Sequence, residues 1–406
     1  MADLALKAFA LLMTGLQALF FPFMGLLTLG RFTAAGLDCV SGSHYGEASA
    51  ALSDPQATPE ARALMAWLKE QYGTHILSGQ FVSPYEDYTR PVFRDAGGNL
   101  DVLLTNELAA LRAANGGKLP AVLGLDYTGV EFSDNGQWDD WVTQFAVQWH
   151  ALGGVVTFCW HWGVPQDMAR PPAEWSRWES AINPGNTNFV LSDVLADKTG
   201  PGYQWLLHGI GKVAGQLKEL QDAGIPVLWR PLHEAAGGWF WWGSSGPEAY
   251  LELYNLLYDK LTGEYGLHNL IWVWNAQHTD WYPGDNRADI LADDPYPPGN
   301  YKWLYPVDPA RATRFKYTRR ASCDKMVAMS ENDKLPDIGL MWNQNVKWLY
   351  FCTWDREKLL KPDPDNQPWG YLREVSEEYD SVKTMRAVYN DPRVLTLERV
   401  DWQWPL

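Results

Sequence analysis

Eight short apolar runs, nearly all ending on a polar or aromatic group, constrain this chain more than any other feature. They are HILSGQ (75–80), AVLGLD (121–126), GVVTFCWHW (154–162), PVLWRPLHE (226–234), LIWVWN (270–275), ILADDPY (290–296), KMVAMSE (325–331) and WLYFCTW (348–354). Each is too short and too uniformly apolar for an amphipathic helix, and reads instead as a buried strand. Most of the intervals carry helical spacing. Residues 59–72 place Leu64, Trp67 and Leu68 on one face, 203–222 alternate at helical period, and 247–262 do so around Tyr250, Leu253, Leu257 and Leu261. Eight buried strands with helices between them predict a (β/α)8 TIM barrel, closed after Trp354 by a loop and a last helix over 377–388. The rival, an open doubly wound sheet, needs a glycine-rich phosphate turn after an early strand, and none follows here. With neither an internal repeat nor a low-complexity linker, 36–406 reads as one catalytic domain.

Such barrels do their chemistry at the C-terminal ends of the strands. Those ends carry Gln80, Asp126, His161, His233, Glu234, Asn275, Asp294, Tyr296, Glu331 and Trp354. So many polar groups at the ends of apolar strands are costly unless they line a wet cleft. The fourth run hands over at Glu234 to a loop with Trp239, Trp241 and Trp242, which reads as an indole wall for the C–H faces of a pyranose. A carboxyl beside such a wall keeps its proton near neutrality and suits a general acid/base. Glu331 ends the seventh run, across the mouth from Glu234, and suits the ionised partner, with Tyr296 as a donor to it and Arg230 orienting it. Two carboxyls about 5 Å apart cleave a glycosidic bond with retention, and about 6.5–9.5 Å apart with inversion.

Composition narrows the alternatives. A net charge of −16 repels nucleic acid and anionic membranes, and 23 Trp with 19 Tyr fit an aromatic-lined cleft. There is no HExxH, no GxSxG elbow and no P-loop, and the eight His are dispersed. No metal, cofactor or protein partner is implied. The four Cys show no ligand spacing, and Cys159 and Cys352 fall inside strands as small apolar fillers. Residues 8–30 are uncharged between Lys7 and Arg31, so 1–35 read as a signal peptide or membrane anchor and the protein as secreted, periplasmic or held at the cell surface.

The motifs RPLHEAAGGWFWWG (230–243), LIWVWN (270–275), DWYPGDNRADILADDPY (280–296) and MVAMSENDKLPD (326–337) together resemble glycoside hydrolase family 26, in particular its endo-β-1,4-mannanases. AVLGLDY (121–127), TFCWHWGVP (157–165) and WLYFCTW add to the likeness, which spans roughly residues 75–355. The resemblance implies hydrolysis of mannan, galactomannan or glucomannan by a retaining mechanism, with Glu234 as acid/base and Glu331 as nucleophile. It further implies that His233 helps hold the sugar at the cleavage point, that Tyr296 orients the nucleophile, and that Trp239 stacks nearby. Asp294 and His161 would line the same subsite, and Trp354 would form a floor or wall. Two positions depart from the family pattern: Ala235-Ala236 stand where Met-Asn is frequent, and Asp293 where Gly often precedes the strand-six Asp. The neighbouring alternatives are a β-1,3-xylanase or mixed-linkage β-glucanase on the same acids. A non-catalytic carbohydrate-binding barrel explains the aromatics but not the paired carboxylates.

Overall fold

The computed structural model describes residues 45–83, 105–132, 137–176, 179–296, 307–365 and 370–402. The apolar segment 8–30, with the signal or anchor expected there, lies outside them. Among the described residues no helix is long and apolar enough to cross a membrane.

All eight runs contribute a strand to one closed barrel: β1 (Gly79–Phe81), β2 (Val122–Asp126), β3 (Val155–Cys159), β4 (Val227–Arg230), β5 (Leu270–Trp274), β6 (Ile290–Asp293), β7 (Met326–Asn332) and β8 (Phe351–Thr353). Every pairing is parallel, and each strand lies between its neighbours in sequence, with β8 returning to β1. Parallel strands covered on both faces are apolar throughout, which is why the runs lack alternation. The seam between β8 and β1 has a single register pair, Thr353 with Gln80. There the Gln80 side-chain amide donates to the carbonyls of Thr353 (3.2 Å) and Trp354 (3.0 Å). Gly79 is required at this seam, since a Cβ would meet the Phe351 carbonyl at 2.5 Å.

Most strands stop short of the sequence runs, for local reasons. The fourth run ends as strand at Arg230 because Pro231 offers no N–H to the ladder. The sixth ends at Asp293, two residues before Pro295. The first run divides: Ile76–Leu77 pairs in parallel with Val394–Leu395 below the barrel, and only 79–81 enters it. Polar ends such as His161, Glu234 and Asp294 therefore stand on loops just above the strands, where side chains can converge.

The helices sit close to their expected places. α1 (Pro59–Gln71) starts at a Thr58 cap whose hydroxyl accepts from the Ala61 N–H, with Pro59 in the first turn, and it buries Leu64, Trp67 and Leu68. α2 is Asn106–Asn115, α3 Gln137–Ala151 and α4 Pro201–Asp222. α5 (Gly246–Tyr258) runs on as a π-helical turn over Asp259–Glu264, with Tyr250, Leu253, Leu257 and Leu261 all buried. α6 (Val307–Thr318) leads into β7. After β8 the chain makes a small hairpin, Leu360–Pro362 with Tyr371–Val375. α7 (Val382–Tyr389) follows, shorter than the expected 377–388 because Ser381 caps it and starts it later. Cys159 and Cys352 are free and buried, as small core fillers, while Cys323 is disulfide-bonded.

Candidate active site

At the mouth of the barrel, oxygens of Glu234, Asp294 and Glu331 lie within 4.8 Å of one another. Three carboxyls so close repel one another unless a cation intervenes. Arg230, the last residue of β4 and fully buried, is that cation. One arm donates to Asp294 Oδ2 at 3.0 Å, and the other to Glu331 Oε1. Carboxylates at this spacing can also grip a hard divalent ion, but here the guanidinium already supplies the compensating charge. Tyr296 donates its hydroxyl to the second oxygen of Glu331 at 3.0 Å. Glu331 is thus held on both oxygens, by the two residues that the sequence assigned to it.

Asp294 is fixed from its other side by the Ser330 hydroxyl at 2.6 Å, which itself accepts from Asn275 at 2.6 Å. Adjacent residues of a regular strand point to opposite faces. Ser330 and Glu331 both reach the cluster because the β7–β8 register shifts between Met329 and Asn332.

Glu234 stands beyond β4 in the left-handed region, at φ 54° and ψ 23°, with Leu232 at φ 53° before it. Such backbone costs about 1–3 kcal/mol and persists only where the surroundings impose it. Here the Glu234 N–H donates to both the backbone carbonyl (2.6 Å) and the side-chain oxygen (3.1 Å) of Asn275. Its carboxyl accepts from the Trp239 indole N–H at 2.9 Å and from the Gln277 amide at 3.2 Å. Burial, reinforced by the nearby charges of Asp294 and Glu331, pushes its pKa up to about 9. Burial also raises Asp294, with Glu331 adding to the effect against Arg230. Glu234 is therefore a protonated acid at neutral pH.

The two histidines form a polarised pair. His161 gives its Nδ1 to Asp126 Oδ2 (2.6 Å), and its backbone N–H donates to the other Asp126 oxygen (3.0 Å). Burial opposes its charge, but the Asp126 carboxylate prevails and the pKa rises. His233, 3.2 Å away through the Nε2 atoms, is held well below the usual range by burial, then by Arg230 and His161. His161 is thus the more basic member of the pair and His233 the less basic. His233 is only 1% exposed, packed among His161, Phe240 and Trp242.

The indole wall expected of the 235–243 loop is a single indole. Trp239 is 43% exposed, whereas Trp241 and Trp242 are fully buried. Their indole N–H groups donate to the Trp162 and His233 carbonyls at 2.6 and 2.8 Å. These two build the shelf beneath the loop; only Trp239 is free to meet a sugar. Trp354 is half-buried, its ring 4.9 Å from Phe81 and 5.6 Å from His161. The structure thus brings the named residues together at one end of the barrel. Sequence reasoning noted Asn275 and Asp126 as strand ends without giving them a role, and it missed Ser330 and Gln277. Ser330 had a signal, its place beside Glu331; Gln277 had none.

Comparison with known proteins fits this geometry. Residues 53–398 match the model of glycosyl hydrolase family 26. A mannan endo-1,4-β-mannosidase of Thermothelomyces thermophilus is 33% identical over 87% of this chain, and one from Piromyces sp is 32% identical over 76%. The chain spans 64% and 49% of those relatives' lengths. Among solved structures, a GH26-CBM35 β-(1,4)-mannanase of Podospora anserina superposes with a TM-score of 0.68 at 32% identity, covering 87% of this chain and 69% of that one. With a family match over most of its length and two acids converging from β4 and β7 at the barrel mouth, the chain belongs to glycosyl hydrolase family 26.

Proposed function

We propose that this protein is an endo-acting β-1,4-mannanase that works with retention of configuration. The observation that carries the reading is the approach of one oxygen of Glu234 to one of Glu331 within 4.8 Å. That approach lies nearer the roughly 5–5.5 Å of retaining enzymes than the roughly 6.5–9.5 Å that leaves room for water in inverting ones. The substrate follows from the relatives, which are named for mannan.

In this reading Glu331, steered by Arg230 and Tyr296, attacks the anomeric carbon as Glu234 passes its proton to the departing glycosidic oxygen. The C–O bond to the leaving sugar breaks, and an ester to Glu331 forms. Glu234, now ionised, takes a proton from water. The hydroxide oxygen then displaces Glu331 at the same carbon, which regenerates both carboxyls. Asp294 and His161 line the subsite beside the cleaved bond, Trp239 stacks near that bond, and Trp354 walls the cleft. Polymeric mannan cannot cross a membrane, so the same reading has residues 8–30 serve in export; the N-terminal sequence of protein recovered from the medium tests this.

The decisive assay is product release from galactomannan, xylan and mixed-linkage glucan, run beside Glu331→Ala. We expect manno-oligosaccharides of several lengths from the wild type and none from the variant, which keeps its affinity for mannohexaose. Products from another polymer alone would overturn the mannan assignment. A fully active variant would overturn the nucleophile.

A further inference from the structure

Asp293, one of the two positions that depart from the family pattern, takes no part in the carboxyl cluster although it adjoins Asp294. It is fully buried at the end of β6 and turned the other way. Arg314 of α6 grips it with two bonds, Nε to Oδ1 at 2.9 Å and Nη2 to Oδ2 at 2.6 Å. The Thr318 hydroxyl adds a third at 2.8 Å. A fork held so firmly is a fixed object, and it holds one thing more. Nη2 of Arg314 also donates to the backbone carbonyl of Gln277 at 3.3 Å.

Gln277 is itself unusual. It sits at φ 65°, outside the region that side chains other than glycine prefer, and from there its amide reaches Glu234 Oε1 at 3.2 Å. The loop around it is tied to the Glu234 segment by two backbone bonds, Glu234 N to Asn275 O (2.6 Å) and Ala236 N to Ala276 O (3.1 Å). On its far side, His278 packs edge-on against Tyr317 of α6. The loop after β5 is thus clamped between α6 and the acid.

We propose that Asp293, Arg314 and Gln277 form a positioning chain that aims the Glu234 carboxyl at the leaving oxygen. Arg314, anchored on Asp293, holds the Gln277 backbone in its left-handed turn. The Gln277 amide and the Trp239 indole then fix the carboxyl plane from its two oxygens. A carboxyl free to rotate would present its proton in the wrong direction for much of the time. The chain touches only the protonation half of the chemistry, since Glu331 is held separately by Arg230 and Tyr296. The inference rests on the reading of Glu234 as the acid/base.

Its signature is dependence on the leaving group. The kcat/KM for mannohexaose, whose sugar leaves only when protonated, is compared with that for a dinitrophenyl β-mannobioside, which leaves unaided. The comparison covers wild type, Glu234→Ala, Gln277→Asn and Arg314→Lys. Asn tolerates the left-handed turn but is one methylene too short to reach Glu234, and Lys keeps a charge beside Asp293 while losing the fork. General acids contribute about 10²–10⁴-fold, so a mis-aimed one is expected to cost about tenfold on mannohexaose in both variants, and less than about twofold on the aryl substrate. Equal losses on both substrates, or no loss on mannohexaose, overturn the positioning chain while leaving Glu234 in place. Should Arg314→Lys fail to fold, Gln277→Asn alone decides in the same way. If Glu234→Ala itself shows no such split, the acid/base reading falls, and the positioning chain with it.

Discussion

In the proposed mechanism a single proton on Glu234 links catalysis to stability. Its pKa is raised by burial and by the neighbouring acids, so the folded protein keeps a proton that the unfolded chain releases near the usual carboxylate range. The contribution to stability is therefore whole below that range and is lost as pH rises toward about 9. Glu234→Gln keeps the shape and removes the titration. Thermal melts from pH 5 to 9 should show the variant gaining on the wild type as pH rises; a constant difference would contradict the assignment. The same residue shows what a sequence can disclose. That Glu234 and Glu331 meet at the barrel mouth was legible because a carboxyl at the end of an apolar run is costly to bury unless a site employs it. The role of Gln277 was not legible, because it depends on a backbone angle and on a helix some 40 residues further on, neither of which leaves a pattern in the chain.

At the scale of elements, the loop 235–243 is set by close packing against its own first residue. A Cβ on Gly243 would lie 1.9 Å from the Ala235 carbonyl, and Ala235 directly follows the acid. Gly243→Ala must therefore push the loop away, carrying Trp239 with it. Overpacking of this kind costs about 1–3 kcal/mol, and we expect both a lowered melting temperature and a clear loss of mannan hydrolysis. Unchanged activity would mean that the loop yields elsewhere. The strands themselves were readable from apolar runs, and α1 from its buried face. Their ends were less so, because prolines and caps decide where the ladder or the helix stops. The misreading of Trp241 and Trp242 as cleft walls has the same origin: composition reveals an aromatic loop, but only packing decides which rings turn inward.

For the molecule as a whole, closure depends on residues far apart in the chain. Ile76 and Leu77, both fully buried, pair with Val394 and Leu395, and the N–H groups of Ile76 and Ser78 donate to the carbonyls of Arg393 and Leu395 at 2.9 Å. A chain ending at Pro392 loses the acceptors for both donors, each orphan costing about 1–3 kcal/mol. It should melt at a lower temperature in a single transition; an unchanged melting point would show that the lower pairing carries no weight. The barrel architecture was the most legible level of all, since eight strands of one kind admit few closures, yet this lower pairing was invisible because two residues make no pattern. The seam has a consequence in time as well as in space. A ribosome makes β1 first and β8 last, at about 5–20 residues per second, so the edge of β1 waits on the order of tens of seconds for its neighbour to be synthesised. Through that interval the barrel cannot close, because the strand that seals its seam does not yet exist.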